Sequence, residues 1–265
     1  MVGLFARFEA AQAALDAGQP ERAQAQLEEL VAADPNNPVF RDRLASLRRQ
    51  RGDLPGAIEL YRRTVEQRPE DPQAWYNLAV TLQEAGRQEE ALAAIRESLR
   101  HGPERPDAHN ALGIAYSAAG QFEAARSEFA AAIALDPRDP RSYNNLGNAL
   151  RGLGRPQEAA AAYRQALELA PEYAEALNGL GALEVENDHP RDAVSYFQRA
   201  LAAAPEHHET RLNLAIAYEM AGDRDAAIEG YRAFLAAAAG DQGYAEQRRI
   251  AQGLLERLLG TAGRG

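Results

Sequence analysis

The stretch PQAWYNLAVTLQEAGRQEEALAAIRESLRHGPER, residues 72–105, holds two helix-like patterns parted by Gly86 and closed by Pro103. Directly after it, PDAHNALGIAYSAAGQFEAARSEFAAAIALDPRD (106–139) and PRSYNNLGNALRGLGRPQEAAAAYRQALELAPEY (140–173) repeat the layout at a spacing of 34 residues. The frame continues through 174–207 and 208–241, and backwards through 38–71 and 4–37, so that seven copies follow one another without an insertion. The twentieth place is alanine in every copy: Ala23, Ala57, Ala91, Ala125, Ala159, Ala193 and Ala227. A fixed period of this length predicts stacked helix-turn-helix units, each burying its apolar face only against its neighbours.

The other recurring positions fit that reading. The eighth place is always small (Ala11, Ala45, Ala79, Gly113, Gly147, Gly181, Ala215), which lets the two helices of a copy approach closely. The twenty-fourth is large (Leu27, Tyr61, Ile95, Phe129, Tyr163, Phe197, Tyr231) and fills the space beside the small ones. Enlarging a small site in a dense core costs about 1–3 kcal/mol. Glycine at the fifteenth place (Gly18, Gly52, Gly86, Gly120, Gly154, Gly222) marks a turn that needs positive φ, and Asp188 stands there in the sixth copy. Proline at the thirty-second (Pro35, Pro69, Pro103, Pro137, Pro171, Pro205) ends the second helix. The seventh copy has Ala239 instead, so its second helix is expected to run on or fray before Gly240.

These residues resemble the tetratricopeptide repeat family, in its bacterial type. The resemblance implies an all-α fold: a right-handed α-solenoid of seven 34-residue helix-turn-helix repeats plus a C-terminal capping helix, fifteen helices in all. The repeats are read as one elongated domain over residues 4–241, with the cap at 242–260 and a disordered tail at 261–265. In the cap, Tyr244, Ile250, Leu254, Leu255 and Leu258 share the side expected to face the core.

Composition narrows the function classes. A net charge of −10 argues against nucleic acid, whose binding rests on neutralising phosphates. The absence of cysteine excludes disulfides, thiolate chemistry and cysteine-ligated zinc. No segment reaches the roughly 20 apolar residues of a membrane span, and no secretory leader pattern opens the chain, so a cytoplasmic location is expected.

In the family it resembles, the first helix of each pair lines a concave groove that binds an extended peptide or a helix. Carried onto this chain, the groove positions hold Asn77, Asn110, Asn144, Asn145, Asn148, Asn178 and Asn213. An amide both donates and accepts, so a ladder of them can pair with a peptide backbone whatever its side chains. The run YNNLGNALRGLG is similar to the superhelix of O-linked N-acetylglucosamine transferases, whose Asn ladder holds substrate chains. The alternative is that these amides bond neighbouring backbone. Asn144 and Asn148, four apart on one helix face, form the leading pair.

Arg141 and Arg151 flank the asparagines, with Arg43 and Arg49 earlier, whereas Glu175, Glu186, Glu209 and Glu219 lie in the C-terminal third. A ligand with an acidic part near the fifth repeat and a basic part beyond it would be complementary; the alternative is a solvated face of scattered charges. The dicarboxylate clamp of chaperone-binding members is not reproduced: Asn148 fits, but Asn144 stands in place of Lys and Gly179 in place of Asn. Phe5, Phe8 and Leu15 make the first repeat unusually apolar, as an anchor site, a self-association surface, a junction to a preceding domain, or a segment folded back on its own helix.

No catalytic constellation is legible. His207 and His208 are adjacent rather than four apart, unlike a helical zinc pair. His109 takes the place of Trp75 and Tyr143 in neighbouring repeats, and His101 and His189 fall at helix ends. The expectation is a non-catalytic interaction scaffold without cofactor or metal, whose partner is a protein or peptide. The alternative is the non-catalytic tail of a larger enzyme, a sulfatase-like hydrolase or a glycosyltransferase, serving substrate orientation or assembly.

Overall fold

Proline and capping side chains set where helices begin. Pro38, Pro72, Pro106 and Pro140 open the first helices of four successive copies, where the missing N–H costs nothing. Just before three of them, Asn37, Asp71 and Asp139 accept hydrogen bonds from the free N–H groups of the first turn. Such a cap is worth about 1 kcal/mol. Helix ends follow the prolines equally closely. The residue before each one (Asp34, Arg68, Gly102, Asp136, Ala170, Ala204) takes φ between −146° and −130°, outside the helical region that a following Pro disfavours.

The computed structural model describes residues 2–260, and the expected tail at 261–265 lies outside them. Among the described residues there are fifteen α-helices, one 3-10 turn and no strand. The chain divides into two compact units, Met1–Ala119 and Gly120–Gly265. The first holds α1 (Val2–Asp16), α2 (Pro20–Ala33), α3 (Pro38–Gln50), α4 (Leu54–Gln67), α5 (Pro72–Glu84), α6 (Gln88–His101) and α7 (Pro106–Ala118). The second holds α8 (Phe122–Leu135), α9 (Pro140–Gly152), α10 (Pro156–Leu169), α11 (Ala174–Glu186), α12 (Pro190–Ala203), α13 (His208–Met220), α14 (Arg224–Ala237), the 3-10 turn Gln242–Tyr244 and α15 (Ala245–Gly260). Within each unit every helix packs on the next, and in the second α11 also touches both α9 and α13. No described helix is long and apolar enough to cross a membrane.

The recurring residues form the core. All seven alanines of the twentieth place are at most 3% exposed, and all seven large residues of the twenty-fourth at most 2%. Burying each of these large side chains contributes about 1.5–3 kcal/mol. The six glycines of the fifteenth place have φ between 67° and 82°, and Asp188 takes φ 62° in the same turn.

Three details depart from the expectations. The segment from Val2 to Phe8 does not fold back; it forms the first two turns of α1. The α14 helix does not run on without its proline; it ends at Ala237, and Ala238 is buried. Arg248 Nη1 donates to the Ala239 carbonyl at 2.6 Å, and the Tyr244 ring packs edge-on against Phe234 at 6.3 Å, so tertiary contacts stop this helix. In α15, Ala251 and Leu255 are buried but Ile250 is 48% exposed, so the core-facing side is narrower than the helical wheel implied.

Candidate functional site

The first helices α9, α11 and α13 of the second unit bring five of the expected groove residues together. Arg151, Asn178, Glu186, Glu209 and Asn213 line one cleft of about 220 Å³, with Ala182, Val185, Phe197 and Ile216 as its apolar part. The arrangement follows from the period: residues 34 apart on successive first helices occupy equivalent places, and α11 touches both of its neighbours.

Hydrogen bonds organise one wall. Asn178 Oδ1 accepts from Thr210 Oγ1 and from Asn213 Nδ2, both at 3.1 Å. His207 Nδ1 lies 2.6 Å from the Thr210 hydroxyl and extends the same wall. These bonds fix the orientation of the Asn178 amide. Across the cleft Arg151 Nε pairs with Glu186 Oε1 at 3.2 Å, and Glu209 is exposed.

The leading pair is split by its surroundings. Asn144 is only 5% exposed, so it is not part of an open polar ladder. Its Oδ1 is buried without a hydrogen-bond partner. The reason is visible in the next repeat. Where Thr210 and Asn213 serve Asn178, the places facing Asn144 hold Ala176 and Gly179, which have nothing to donate. Asn148, by contrast, accepts from the Tyr163 hydroxyl at 2.7 Å and is thereby tied to its own repeat.

Arg141 is exposed and donates from Nε to Asp139 Oδ1 at 2.9 Å. Burial pushes the Asp139 carboxyl up, but hydrogen bonds from Arg141 and Ser142 outweigh it and hold the group below its usual range. Asn145 is half-buried and Glu175 exposed, and neither lines the cleft. In the first unit Asn77, also half-buried, accepts from Gln73 Nε2 at 2.8 Å, and Asn110 is half-buried. The fixed amides therefore bond neighbouring side chains more often than backbone. The apolar members Val185, Phe197 and Ile216 were not singled out from sequence; their positions within the repeat were the available signal.

The histidines have structural partners. His109 Nε2 lies 3.0 Å from the Pro103 carbonyl, just as Trp75 Nε1 donates to the Pro69 carbonyl at 2.7 Å, so both cover the loop oxygen left by the preceding helix. His208 meets Tyr244 edge-on at 5.3 Å. At the N-terminal end of the chain, Phe8 is half-buried 5.3 Å from the Phe40 ring, whereas Phe5 remains 58% exposed.

Similarity to known proteins covers the same ground. Tetratricopeptide repeat models match residues 8–72, 43–109, 81–140, 110–174 and 144–187, and a further one matches 184–247. No curated protein matches the chain. Among solved structures, a tetratricopeptide repeat protein from Parabacteroides merdae is similar with a TM-score of 0.78 at 15% identity, over 98% of this chain and 100% of that one. A protein of the same repeat type from Thermus thermophilus gives 0.60 at 24% identity, over 68% and 98%. YrrB, described as having an unusual peptide-binding site, gives 0.52 at 22% identity, over 69% and 95%. At these identities the structures speak for the fold alone, but the repeat models span nearly the whole sequence: the chain belongs to the tetratricopeptide repeat family.

Proposed function

We propose that the protein is an interaction scaffold and that an extended peptide segment of a partner lies in the cleft along α9, α11 and α13. The observation that carries this reading is the convergence of Asn178, Asn213, Arg151 and Glu209 on one concave site with an apolar floor. Fixed amides, an apolar floor and charges of both signs suit a peptide: its backbone meets the amides and its side chains the rest. Arg151 is already neutralised by Glu186, which leaves Glu209 as the cleft's excess charge and favours a basic residue in the segment. The Asn-ladder comparison enters in reduced form, as two bonded amides rather than a continuous series. Proteins of this repeat family are generally non-catalytic, which agrees with a binding role.

Selection from a displayed random-peptide library tests the reading. Peptides enriched on the protein should carry Lys or Arg and should bind about tenfold more weakly to Glu209→Arg, a change of roughly 1.4 kcal/mol. Glu209 is exposed in the first turn of α13, where replacing an acid by Arg costs about 0.3–1 kcal/mol, so melting should fall only slightly. Enriched peptides that bind Glu209→Arg and Asn213→Ala as well as the parent would overturn the assignment of the cleft.

A further inference from the structure

The turn between α11 and α12 breaks the repeat pattern at several places at once. Two of them form an ion pair in other repeats. Arg87 Nε holds Glu90 at 2.7 Å, and Arg155 Nε holds Glu158 at 2.6 Å. The Arg87 bond keeps the Glu90 carboxyl below its usual range. In the sixth repeat the same two places are His189 and Asp192, so the arginine is gone and the carboxylate stays. His189 turns to a second carboxylate instead: its Nδ1 lies 3.1 Å from Glu184 Oε2. Glu184 in turn stands where other repeats place Leu82, Tyr116, Leu150 and Tyr218. A third acid, Asp188, replaces the turn glycine.

The result is a concentration of negative charge without its usual cation. Among the described residues no arginine pairs with Glu184, Asp188 or Asp192, and Arg191 forms no ion pair with any of them. One ligand atom each from Glu184, His189 and Asp192 lie within 4.8 Å of one another. His189 and Asp192 also open onto a cleft of about 400 Å³ shared with Asp188, Arg191 and Met220, which gives an ion access and room for water ligands.

We infer that Glu184, His189 and Asp192 form a site for a borderline divalent transition-metal ion, zinc being the representative case. One imidazole nitrogen and two carboxylates are a donor set that zinc accepts at about 2.0–2.2 Å, with water completing the tetrahedron. The exposed His189 and Asp192 side chains can close the remaining distance by rotation. The ion supplies the positive charge that arginine supplies in the third and fifth repeats. Bound there, it clamps the end of α11 to the start of α12 across the turn that holds the strained Asp188.

Calorimetric titration of zinc chloride into the full chain, with thermal melts followed by circular dichroism, tests the site. The expected result is one saturable zinc per chain and a melting temperature that rises with zinc until saturation. His189→Arg restores the ion pair of the other repeats and should abolish binding without loss of helicity. Asp192→Asn, should the first variant fold poorly, is expected to weaken binding by roughly tenfold or more. Absence of zinc binding by the parent, or binding undiminished in these variants, would overturn the inference.

Discussion

The Tyr163 hydroxyl donates to Asn148 Oδ1 at 2.7 Å, across the interface between α10 and α9. The ring beneath that bond lies against two glycines of different helices. A Cβ built on Gly147 or on Gly179 would stand 2.6 Å from a Tyr163 ring carbon. Because the ring is fully buried, it has little room to retreat.

Gly179→Ala is therefore expected to destabilise the protein by about 1–3 kcal/mol through overpacking, and Gly147→Leu by at least as much. Tyr163→Phe keeps the ring and removes only the hydroxyl bond, at about 0.5–1.5 kcal/mol. Urea unfolding of the three variants checks the order. Equal stability of Gly179→Ala and the parent would mean that the ring does not occupy this place.

Asn144 supplies a prediction in the stabilising direction. Ala176→Ser places a hydroxyl where Thr210 serves Asn178, and should gain about 0.5–1.5 kcal/mol by satisfying the buried Oδ1. The reverse change, Thr210→Ala, should cost a similar amount by removing one of the two donors to Asn178. Paired denaturation curves settle both signs, and a loss of stability in Ala176→Ser would show that the site has no room for the oxygen.

The helix-ending turns separate backbone strain from packing. An added Cβ at Gly86 meets nothing within 4 Å, yet φ is 73°, so Gly86→Ala should cost about 1–2 kcal/mol from conformation alone. Asp188→Gly relieves the corresponding strain at φ 62° but loosens the unfolded chain, for a net gain of about 0.5–1 kcal/mol in metal-free buffer. Thermal melts of both variants with a chelator present check the opposite signs.

Alkaline pH should weaken the second unit through its tyrosines. Burial, reinforced by the Glu175 and Asp139 carboxylates, pushes the Tyr173 phenol from 10.0 up to about 12. Burial also raises Tyr163, and burial together with the hydrogen bond to Glu219 raises Tyr231. A pKa raised on folding means that the native state holds its proton more tightly. The contribution is therefore complete below pH 10.0 and is lost as pH climbs through the folded values. Urea unfolding from neutral to strongly alkaline pH should show this fall, and Tyr173→Phe should flatten it.

The fold was legible because its determinants are local. Ala23 and its six equivalents, the positive-φ glycines and the helix-ending prolines each act within a few residues of themselves, and the period multiplies the signal. The site was less legible because its determinants lie about a repeat apart. Asn144 and Asn178 occupy the same place in consecutive copies, yet one is orphaned and the other bonded. The difference lies in Ala176 and Gly179 against Thr210 and Asn213, more than thirty residues further along. A helical wheel likewise places Ile250 with Leu254, but exposure depends on how α15 meets α14, and Ile250 stays in solvent. The turn at 188 was noticed for its backbone and His189 for its helix end; their company with Glu184 emerges only once α11 and α12 are folded together.

The ring of Tyr163 has a consequence for how the second unit comes apart. It belongs to the fifth repeat by sequence but spends part of its contact energy on Gly179 of the sixth. In a linear array, such energy counts in the coupling between neighbours and not in the intrinsic stability of either. A chain cut after residue 173 would leave one face of that ring without its neighbour. The α9–α10 pair should then unfold more readily than in the longer chain, and in the intact protein loss of α11 should carry α10 with it. An aromatic side chain wedged between two glycines thus acts as a hinge pin for cooperativity, setting how many helices must open together.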